Sequence, residues 1–384
     1  MLVCMLLCAA GACAAPTAED LASDYDEALR ILEEYNSFLP IIRERHPEYD
    51  ALCAQKREDL IARNCSVRGL YFILNDLFRA LGYPAHLSMV DPGLFSTARL
   101  QIRQGIFEED SYAYNLYTDE QTAAVYAAMG AAGDDSDGSD PGDKYTPQVT
   151  YDRNRKLLRI RFKSFKHELI ERDRNAVIDA CRAYPDARHI VFDICGNTGG
   201  NEMYWVDNLV APFGEEVSWR KQVWFSDNKL TRAYGYMDGA EPVAFGEDST
   251  APAFVAELGL TYSNSWTNSI TIPEDPDRII HTDAKRWVLT DEGTFSAADS
   301  FAGFCKGTKW ATLVGRQTLG DGAGGSPLTV RLPKTGLLLR FSAVAGANAD
   351  GTLNAFAGTV PDIPCKPREF PYDTLLRIID SGRY

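Results

Sequence analysis

A serine lies where the chain changes from a predicted strand to a predicted helix, in the segment Asp291-Glu292-Gly293-Thr294-Phe295-Ser296-Ala297-Ala298-Asp299. A serine at a helix N-terminus is commonly an N-cap, whose side chain accepts a backbone N–H. The same position also suits a nucleophile, because the helix dipole and its free N–H groups stabilise an alkoxide or a tetrahedral oxyanion. The small residues after Ser296 leave room for a substrate carbonyl. Ser296 is therefore a candidate nucleophile, and the Ala297 amide is a candidate oxyanion donor.

A glycine-rich turn follows another apolar run, in the segment Asp193-Ile194-Cys195-Gly196-Asn197-Thr198-Gly199-Gly200. Glycines after a buried strand expose backbone N–H groups and permit the close approach of a ligand. The spacing is neither that of a dinucleotide-binding loop nor that of a phosphate-binding P-loop. Two interpretations remain. The segment is a tight strand-to-helix turn, or it is one side of an oxyanion hole in which Gly199 donates its N–H and Gly200 supports it.

The N-terminal region is predicted to be helical from residue 16 to about residue 82. Thr17 and Asp20 have the spacing of a capping box. A clear helix begins after Ser66, with apolar residues at helical spacing and with Gly82 where a helix commonly ends. A short extended piece follows at residues 85–89, and it includes His86. These elements define a predicted helical domain over residues 16–98.

From residue 151 the pattern changes to alternating strands and helices. Strands are predicted around residues 158–162, 190–192, 287–289 and 312–314, and helices over 173–184, 201–210 and 296–304. Strand–helix–strand repeats imply crossover connections and therefore a mainly parallel sheet. The segments at 327–332 and 337–344 are predicted to form a hairpin. We assign residues 151–384 to an α/β domain and residues 99–150, which are less regular and include a Gly-rich acidic run, to a flexible insertion or linker.

Four segments, in their order and spacing, resemble the tail-specific or C-terminal processing serine peptidases, including their tricorn-core branch. They are Ile190–Gly200, Trp287–Asp299, Leu313–Gly320 and the closing Gly358-Thr359-Val360-Pro361-Asp362-Ile363. The resemblance covers roughly residues 155–365. It implies a crotonase/ClpP-like core and a peptidase that hydrolyses peptide bonds of polypeptides or peptides. It implies no cofactor and no metal. The stretch between His86 and the first core strand is too short for the PDZ module of many relatives.

The resemblance also implies a base for Ser296. One branch of the family uses a lysine about 25 residues after the serine, where this chain has Asp321 between two glycines; an aspartate cannot serve as that neutral amine. The tricorn-core branch uses a histidine just after an N-terminal helix, and His86 has that context. An unperturbed imidazole has a pKa of about 6.5, which suits proton transfer near neutrality. His86 is the predicted base, and His167 is the alternative.

The chain departs from the family pattern at three positions. The family has a serine beside the histidine and a glutamate three residues before the closing glycine, and this chain has Ala85 and Ala355 there. Asn354 is adjacent and suits a neutral orienting role, while Asp299 replaces a usual glutamate. These departures motivate an alternative function, a catalytically degenerate peptide-binding protein on the same fold. A crotonase-type enzyme acting on acyl thioesters is a third class, which export would separate from coenzyme A.

Composition limits partners and location. The formal net charge of −15 opposes binding to nucleic acid. Residues 1–15 are an apolar run followed by small residues, the pattern of a secretory signal peptide. We expect an extracytoplasmic protein, either secreted or anchored to a membrane through lipidated Cys13. In an exported chain Cys53 and Cys65 could form a disulfide, but buried free thiols are the favoured interpretation. The sequence does not indicate an oligomeric state.

Overall fold

The computed structural model describes residues 15–63, 65–130, 143–246 and 249–382. The predicted signal peptide, Cys13 and most of the acidic run lie outside these ranges. The α-helices are α1 (Ala18–Tyr35), α2 (Leu39–Arg45), α3 (Tyr49–Ala62), α4 (Val67–Ala80), α5 (Pro92–Arg103), α6 (Tyr112–Thr118), α7 (Glu120–Ala128), α8 (Ile170–Ala183), α9 (Glu202–Trp205), α10 (Lys229–Ala233), α11 (Ala253–Glu257), α12 (Ala297–Thr308), α13 (Asn354–Ala357) and α14 (Pro371–Asp380).

The β-strands form three sheets. In chain order they are β1 (Ser88–Met89), β2 (Gln148–Asp152), β3 (Leu157–Arg161), β4 (His189–Asp193), β5 (Ser218–Phe225), β6 (Glu241–Pro242), β7 (Tyr262–Ser269), β8 (Lys285–Thr290), β9 (Thr312–Gly315), β10 (Leu328–Arg331), β11 (Leu338–Phe341), β12 (Ala345–Gly346) and β13 (Ile363–Pro364). The sheets have the strand orders β13-β9-β8-β4-β3-β2, β12-β5-β7-β6 and β1-β11-β10.

The six-stranded sheet is the centre of the fold and has a hydrophobic core on each face. Its six strands are parallel except for the antiparallel β2–β3 pair. Strands β4, β8 and β9 are nearly continuous apolar runs, as expected for strands covered on both faces. Alternate residues of β4 divide between two cores: Ile190 and Phe192 pack with α8, α9 and α12, while Val191 packs with α14. The predicted mainly parallel α/β core is confirmed.

The N-terminal helices pack against the late hairpin. The capping box at Thr17 and the Ser66 N-cap are present as predicted. Strands β10 and β11 form the predicted antiparallel hairpin, and β1 joins it by pairing with β11. Helices α1, α3 and α4 share one core cluster with this hairpin. The segment that carries His86 therefore lies between the helical region and the hairpin.

Residues 99–130 are more regular than the sequence indicated. Helices α5, α6 and α7 occupy most of this stretch, and side chains of the preceding residues Asp91, Ser111 and Asp119 cap them. Tertiary packing stabilises these short helices: Phe95 stacks on Tyr126 at 4.3 Å between ring centroids, and the Tyr126 hydroxyl donates to the Val90 carbonyl at 2.9 Å. Such contacts cannot be predicted from the local periodicity of apolar residues. The domain boundaries themselves remain predictions.

The cysteines that the structure describes are free thiols, so Cys53 and Cys65 are not joined. Among the described helices, none combines the length and the apolar character that a membrane span requires.

Candidate active site

Ser296 and His86 lie within hydrogen-bond distance of each other. The His86 Nε2 atom is 2.9 Å from the Ser296 Oγ atom, although 210 residues separate them in the chain. His86 is buried, and Ser296 is partly exposed. The Ser296 side chain makes no capping hydrogen bond to α12, so the N-cap interpretation does not describe it.

The backbone of Ser296 turns sharply between β8 and α12. Its φ of 56° and ψ of −126° are outside the helical region, so α12 begins at Ala297 and not at Ser296 as predicted. A non-glycine residue with positive φ costs of order 1–3 kcal/mol and persists only where its surroundings enforce it. Here the Ser296 N–H donates to the Gly320 carbonyl at 2.9 Å, and the Phe295 N–H donates to the Asn197 carbonyl at 3.0 Å. Both neighbouring loops therefore hold the nucleophile turn.

The His86 segment is also conformationally unusual. The sequence predicted an extended piece over residues 85–89, but only Ser88 and Met89 form a strand. Tyr83, Ala85 and His86 have φ values of 51°, 47° and 58°, in a turn closed by the Leu87 N–H to the Pro84 carbonyl at 2.9 Å. The ring of His86 packs on Phe295, the residue before the nucleophile, with 4.5 Å between ring centroids. This turn brings a buried imidazole toward Ser296.

Asp321 is the third residue of the site, after Ser296 and His86, and the sequence analysis did not predict it. Its Oδ2 atom lies in direct hydrogen-bond contact with the His86 Nδ1 atom. The Ser342 hydroxyl donates to the same oxygen at 2.8 Å and is 3.1 Å from Nδ1. From the sequence, Asp321 is only the residue at the position of the lysine used by the other branch. Its place between two glycines, in a turn after a strand that follows the nucleophile helix, was the available signal.

Burial and the Asp321 carboxylate act in opposite directions on the pKa of His86. Burial disfavours the imidazolium and lowers the pKa of His86 below its ordinary value of 6.5, and the charge of Arg340 acts in the same direction. The Asp321 carboxylate opposes this shift but does not reverse it. The neutral imidazole, with Nε2 free to accept a proton from Ser296, is therefore favoured at neutral pH.

Asp299 and Asn354 hold the turn that carries Asp321. The Asn354 Oδ1 atom accepts the N–H groups of Gly322 and Ala323 at 2.9 and 3.0 Å. The Asp299 Oδ2 atom accepts the Gly322 N–H at 3.0 Å and the Asn354 amide at 2.9 Å. Complete burial raises the pKa of the Asp299 carboxyl, against the effect of these hydrogen bonds. Both residues contact the turn and not the imidazole.

The glycine turn lies directly against the nucleophile. A Cβ on Gly199 would be 2.8 Å from the Ala297 nitrogen and 2.9 Å from the Ser296 Cβ, so only glycine fits there. The Gly199 N–H already donates to the Asn197 side chain at 2.8 Å. The amides of Gly200 and Ala297 donate to no other residue that the structure describes. Ala297 thus retains the free amide that the sequence predicted, while the Gly199 amide is shared.

The alternative base is elsewhere. The His167 Nδ1 atom accepts a hydrogen bond from the Asn201 side-chain amide at 2.8 Å, and no contact joins its ring to Ser296. Within the described ranges, no group of three or more His, Cys, Asp and Glu side chains has the arrangement of a metal site.

Solved structures are similar to this chain over nearly its whole length. A candidate peptidase from Parabacteroides merdae has a TM-score of 0.50 and 14% identity, covering 94% of this chain and 96% of that one. A lipoprotein from Streptococcus agalactiae has a TM-score of 0.45 and 14% identity, covering 96% and 97%. The photosystem II D1 C-terminal processing protease has a TM-score of 0.40 and 14% identity, covering 94% and 97%. No curated protein sequence is significantly similar to the chain.

A family model identifies the domain that contains the site. The model for Peptidase family S41 matches residues 156–365, which is more than half of the chain and includes the glycine turn, the nucleophile turn and the Asp321 turn. The matched range also contains all four segments that resemble the tail-specific peptidases. The chain belongs to peptidase family S41.

Proposed function

We propose that this protein is a serine peptidase in which Ser296 is the nucleophile, His86 the general base and Asp321 the residue that orients the base. The observation that carries the proposal is the continuous chain of contacts from Ser296 Oγ through both ring nitrogens of His86 to Asp321 Oδ2. Membership of a peptidase family supports peptide bonds as the substrate.

The proposed reaction is acyl transfer in two halves. His86 Nε2 takes the hydroxyl proton while Ser296 Oγ attacks the peptide carbonyl carbon. The tetrahedral intermediate then collapses, the imidazolium gives its proton to the leaving amine, and an acyl-enzyme remains. Water, deprotonated by the same imidazole, attacks the ester and releases the acid. Asp321 accepts the Nδ1 proton in a hydrogen bond, which fixes the tautomer and stabilises the imidazolium.

Backbone amides supply the oxyanion site in this proposal. The Ala297 N–H lies at the start of α12, where the helix dipole favours negative charge. The glycine turn supplies the second donor. Because the Gly199 amide already donates to Asn197, the substrate oxygen would share that hydrogen or use the Gly200 amide.

A fluorophosphonate probe tests the nucleophile. We expect the probe to label the native protein and not Ser296→Ala, and we expect His86→Ala to slow labelling strongly. Equal labelling of the native protein and Ser296→Ala would remove Ser296 from the mechanism.

The degenerate peptide-binding protein is the competing function. It was motivated by Ala85 and Ala355, but Asp321 and Ser342 supply polar partners to His86 from other parts of the chain. Peptide binding without turnover, together with absence of probe labelling in the native protein, would favour it.

Export remains a proposal from the sequence. The N-terminal apolar run followed by small residues supports an extracytoplasmic location, as a secreted protein or as a lipoprotein modified at Cys13. Metabolic labelling with a radioactive fatty acid, lost in Cys13→Ala, would distinguish the lipoprotein from the secreted form.

A further inference from the structure

A groove of about 830 Å³ runs between strand β5 and helix α12. Its walls include Ser218 and Arg220 of β5 and Gly303 and Gly307 of α12, and Gly322 lies at one end. The groove contains none of the three residues of the proposed triad. The chemistry of its walls therefore determines what it can bind.

One wall of the groove is an open strand edge. On its other edge β5 pairs with β7 along all of Ser218–Phe225, whereas on the groove side β12 pairs only with Val223 and Trp224. The Ile270 N–H donates to the Val217 carbonyl at 2.9 Å, so every second residue from Val217 directs its backbone groups toward β7. The backbone groups of Ser218 and Arg220 accordingly face the groove, on the edge where β12 pairs only with Val223 and Trp224.

The opposite wall leaves space for side chains. Gly303 and Gly307 are one helical turn apart and both are exposed. A Cβ on Gly307 would meet no atom within 4 Å, and one on Gly303 would meet only the Thr359 hydroxyl, at 3.8 Å. Neither glycine has a positive φ, so backbone conformation does not require glycine at these positions.

One end of the groove lies at the first turn of α12, where Ser300 and Gly322 line it. A Cβ on Gly322 would be 2.2 Å from the Ser300 nitrogen and 2.6 Å from the Ser296 carbonyl oxygen, so the end of the groove packs on the first turn of α12. Gly322 also follows Asp321 directly. A chain lying in the groove would thus lie beside the turns that carry Ser296 and Asp321.

We propose that this groove binds an extended segment of polypeptide substrate as an added strand on the free edge of β5. Unpaired N–H and C=O groups at alternate residues of an edge are complemented by another extended backbone. The groove side of α12 spans about 12 Å, which accommodates about four extended residues. Charged lining residues of both signs, such as Lys221 and Asp350, favour no single charge on the occupant. The substrate class is therefore unfolded or extended polypeptide, recognised mainly through its backbone.

Binding can be measured without catalysis, in a Ser296→Ala background, with fluorescein-labelled reduced and carboxymethylated lactalbumin as an unfolded probe. In Gly307→Leu and Gly303→Leu the new side chain extends from α12 into the groove, and we expect each variant to weaken binding at least tenfold. Ala54→Leu, on the exposed face of α3, should leave binding unchanged. Equal affinity of both groove variants and the parent would overturn the proposal.

The mode of binding has its own signature. In peptides of the probe that bind Ser296→Ala, N-methylation should weaken binding at alternate residues, because only every second amide of an added strand faces β5. Tolerance of N-methylation at every position would exclude an added strand.

This inference rests on the proposed function only for the fate of the bound peptide. With Ser296 intact, the native protein and the control Ala54→Leu should both react with a small fluorophosphonate, because that reaction needs the triad and not the groove. Failure of the native protein to react would contradict the peptidase proposal and leave the binding result standing, so the two failures are distinguishable.

Discussion

At the scale of residues, the role of Asp321 can be tested by a substitution that keeps the shape of the side chain and removes its charge. Asp321→Asn keeps the shape but offers an amide to His86 Nδ1, which favours the tautomer that cannot accept a proton at Nε2. We expect kcat to fall by about 10³–10⁴-fold, as for the equivalent loss in other serine triads. Steady-state cleavage of an unfolded polypeptide measures this, with Ser381→Ala near the C-terminus as a control. A loss of less than tenfold would contradict the orienting role.

Asp321 is the residue of the site that could not be predicted from the sequence. Ser296 and His86 could be paired from segment order and from the resemblance, because each follows a recognisable element. The sequence also shows Asp321 between Gly320 and Gly322, but its spacing from other residues does not indicate that its carboxylate points toward His86. That direction depends on an Asp321 φ of 60° and on Ser342, which follows β11 directly, and both are set by tertiary structure.

The pH dependence follows from the burial of His86. Protonation removes the base, and the lowered pKa means that this occurs only below pH 6.5. We therefore expect kcat/KM to rise with pH through a midpoint below 6.5 and to be level at neutrality. In Asp321→Asn the carboxylate no longer raises the pKa of His86, so the residual activity should have a still lower midpoint. Profiles of both proteins check this, and a wild-type midpoint above 6.5 would contradict it.

At the scale of elements, the turn after Gly320 depends on a buried pair of polar side chains. Asn354→Asp is isosteric but places a second carboxylate 2.9 Å from the Asp299 Oδ2 atom. Two buried carboxylates so close cannot both ionise, so the folded-state pKa of the pair rises above the unfolded value near 3.8. The unfolded state then ionises more readily, and the stability deficit of the variant should grow as pH rises above about 4.

We expect Asn354→Asp to lose about 3 kcal/mol of unfolding free energy at neutral pH and much less at pH 4. Denaturant unfolding at the two pH values measures this. Asn154→Asp, at an exposed turn, is the matched control and should change little. A deficit that is the same at both pH values would show that the two carboxylates do not interact.

The elements themselves differ in how far the sequence predicts them. Strands β4, β8 and β9 could be predicted because burial on both faces requires apolar runs. Helices α5, α6 and α7 could not, because ring contacts such as Phe95 with Tyr126 stabilise them. The turn at His86 was predicted to be extended, since its positive φ values are enforced by surrounding chain and leave no composition signal.

At the scale of the whole molecule, the site depends on docking of the N-terminal helices against the hairpin. His86 comes from the N-terminal region, whereas Ser296 and Asp321 come from the family domain. Asp24 of α1 is buried and accepts the N–H groups of Lys334 and Thr335 at 3.0 and 2.7 Å, in the turn between β10 and β11. This carboxylate ties the first helix to the hairpin that packs on the His86 segment.

Asp24→Asn should weaken this tie, because its amide faces a backbone N–H that then lacks an acceptor. We expect a loss of about 1–3 kcal/mol and a lower Tm. Fluorophosphonate labelling should be unchanged well below the Tm and should disappear in step with unfolding, because loss of the docked region takes His86 away from Ser296.

Asp26→Asn is the control, since Asp26 pairs with Arg57 at 2.7 Å on the surface, with both side chains about half exposed. Such surface pairs contribute less than about 1 kcal/mol to stability. Labelling that survives after the N-terminal helices have unfolded would show that another group activates Ser296.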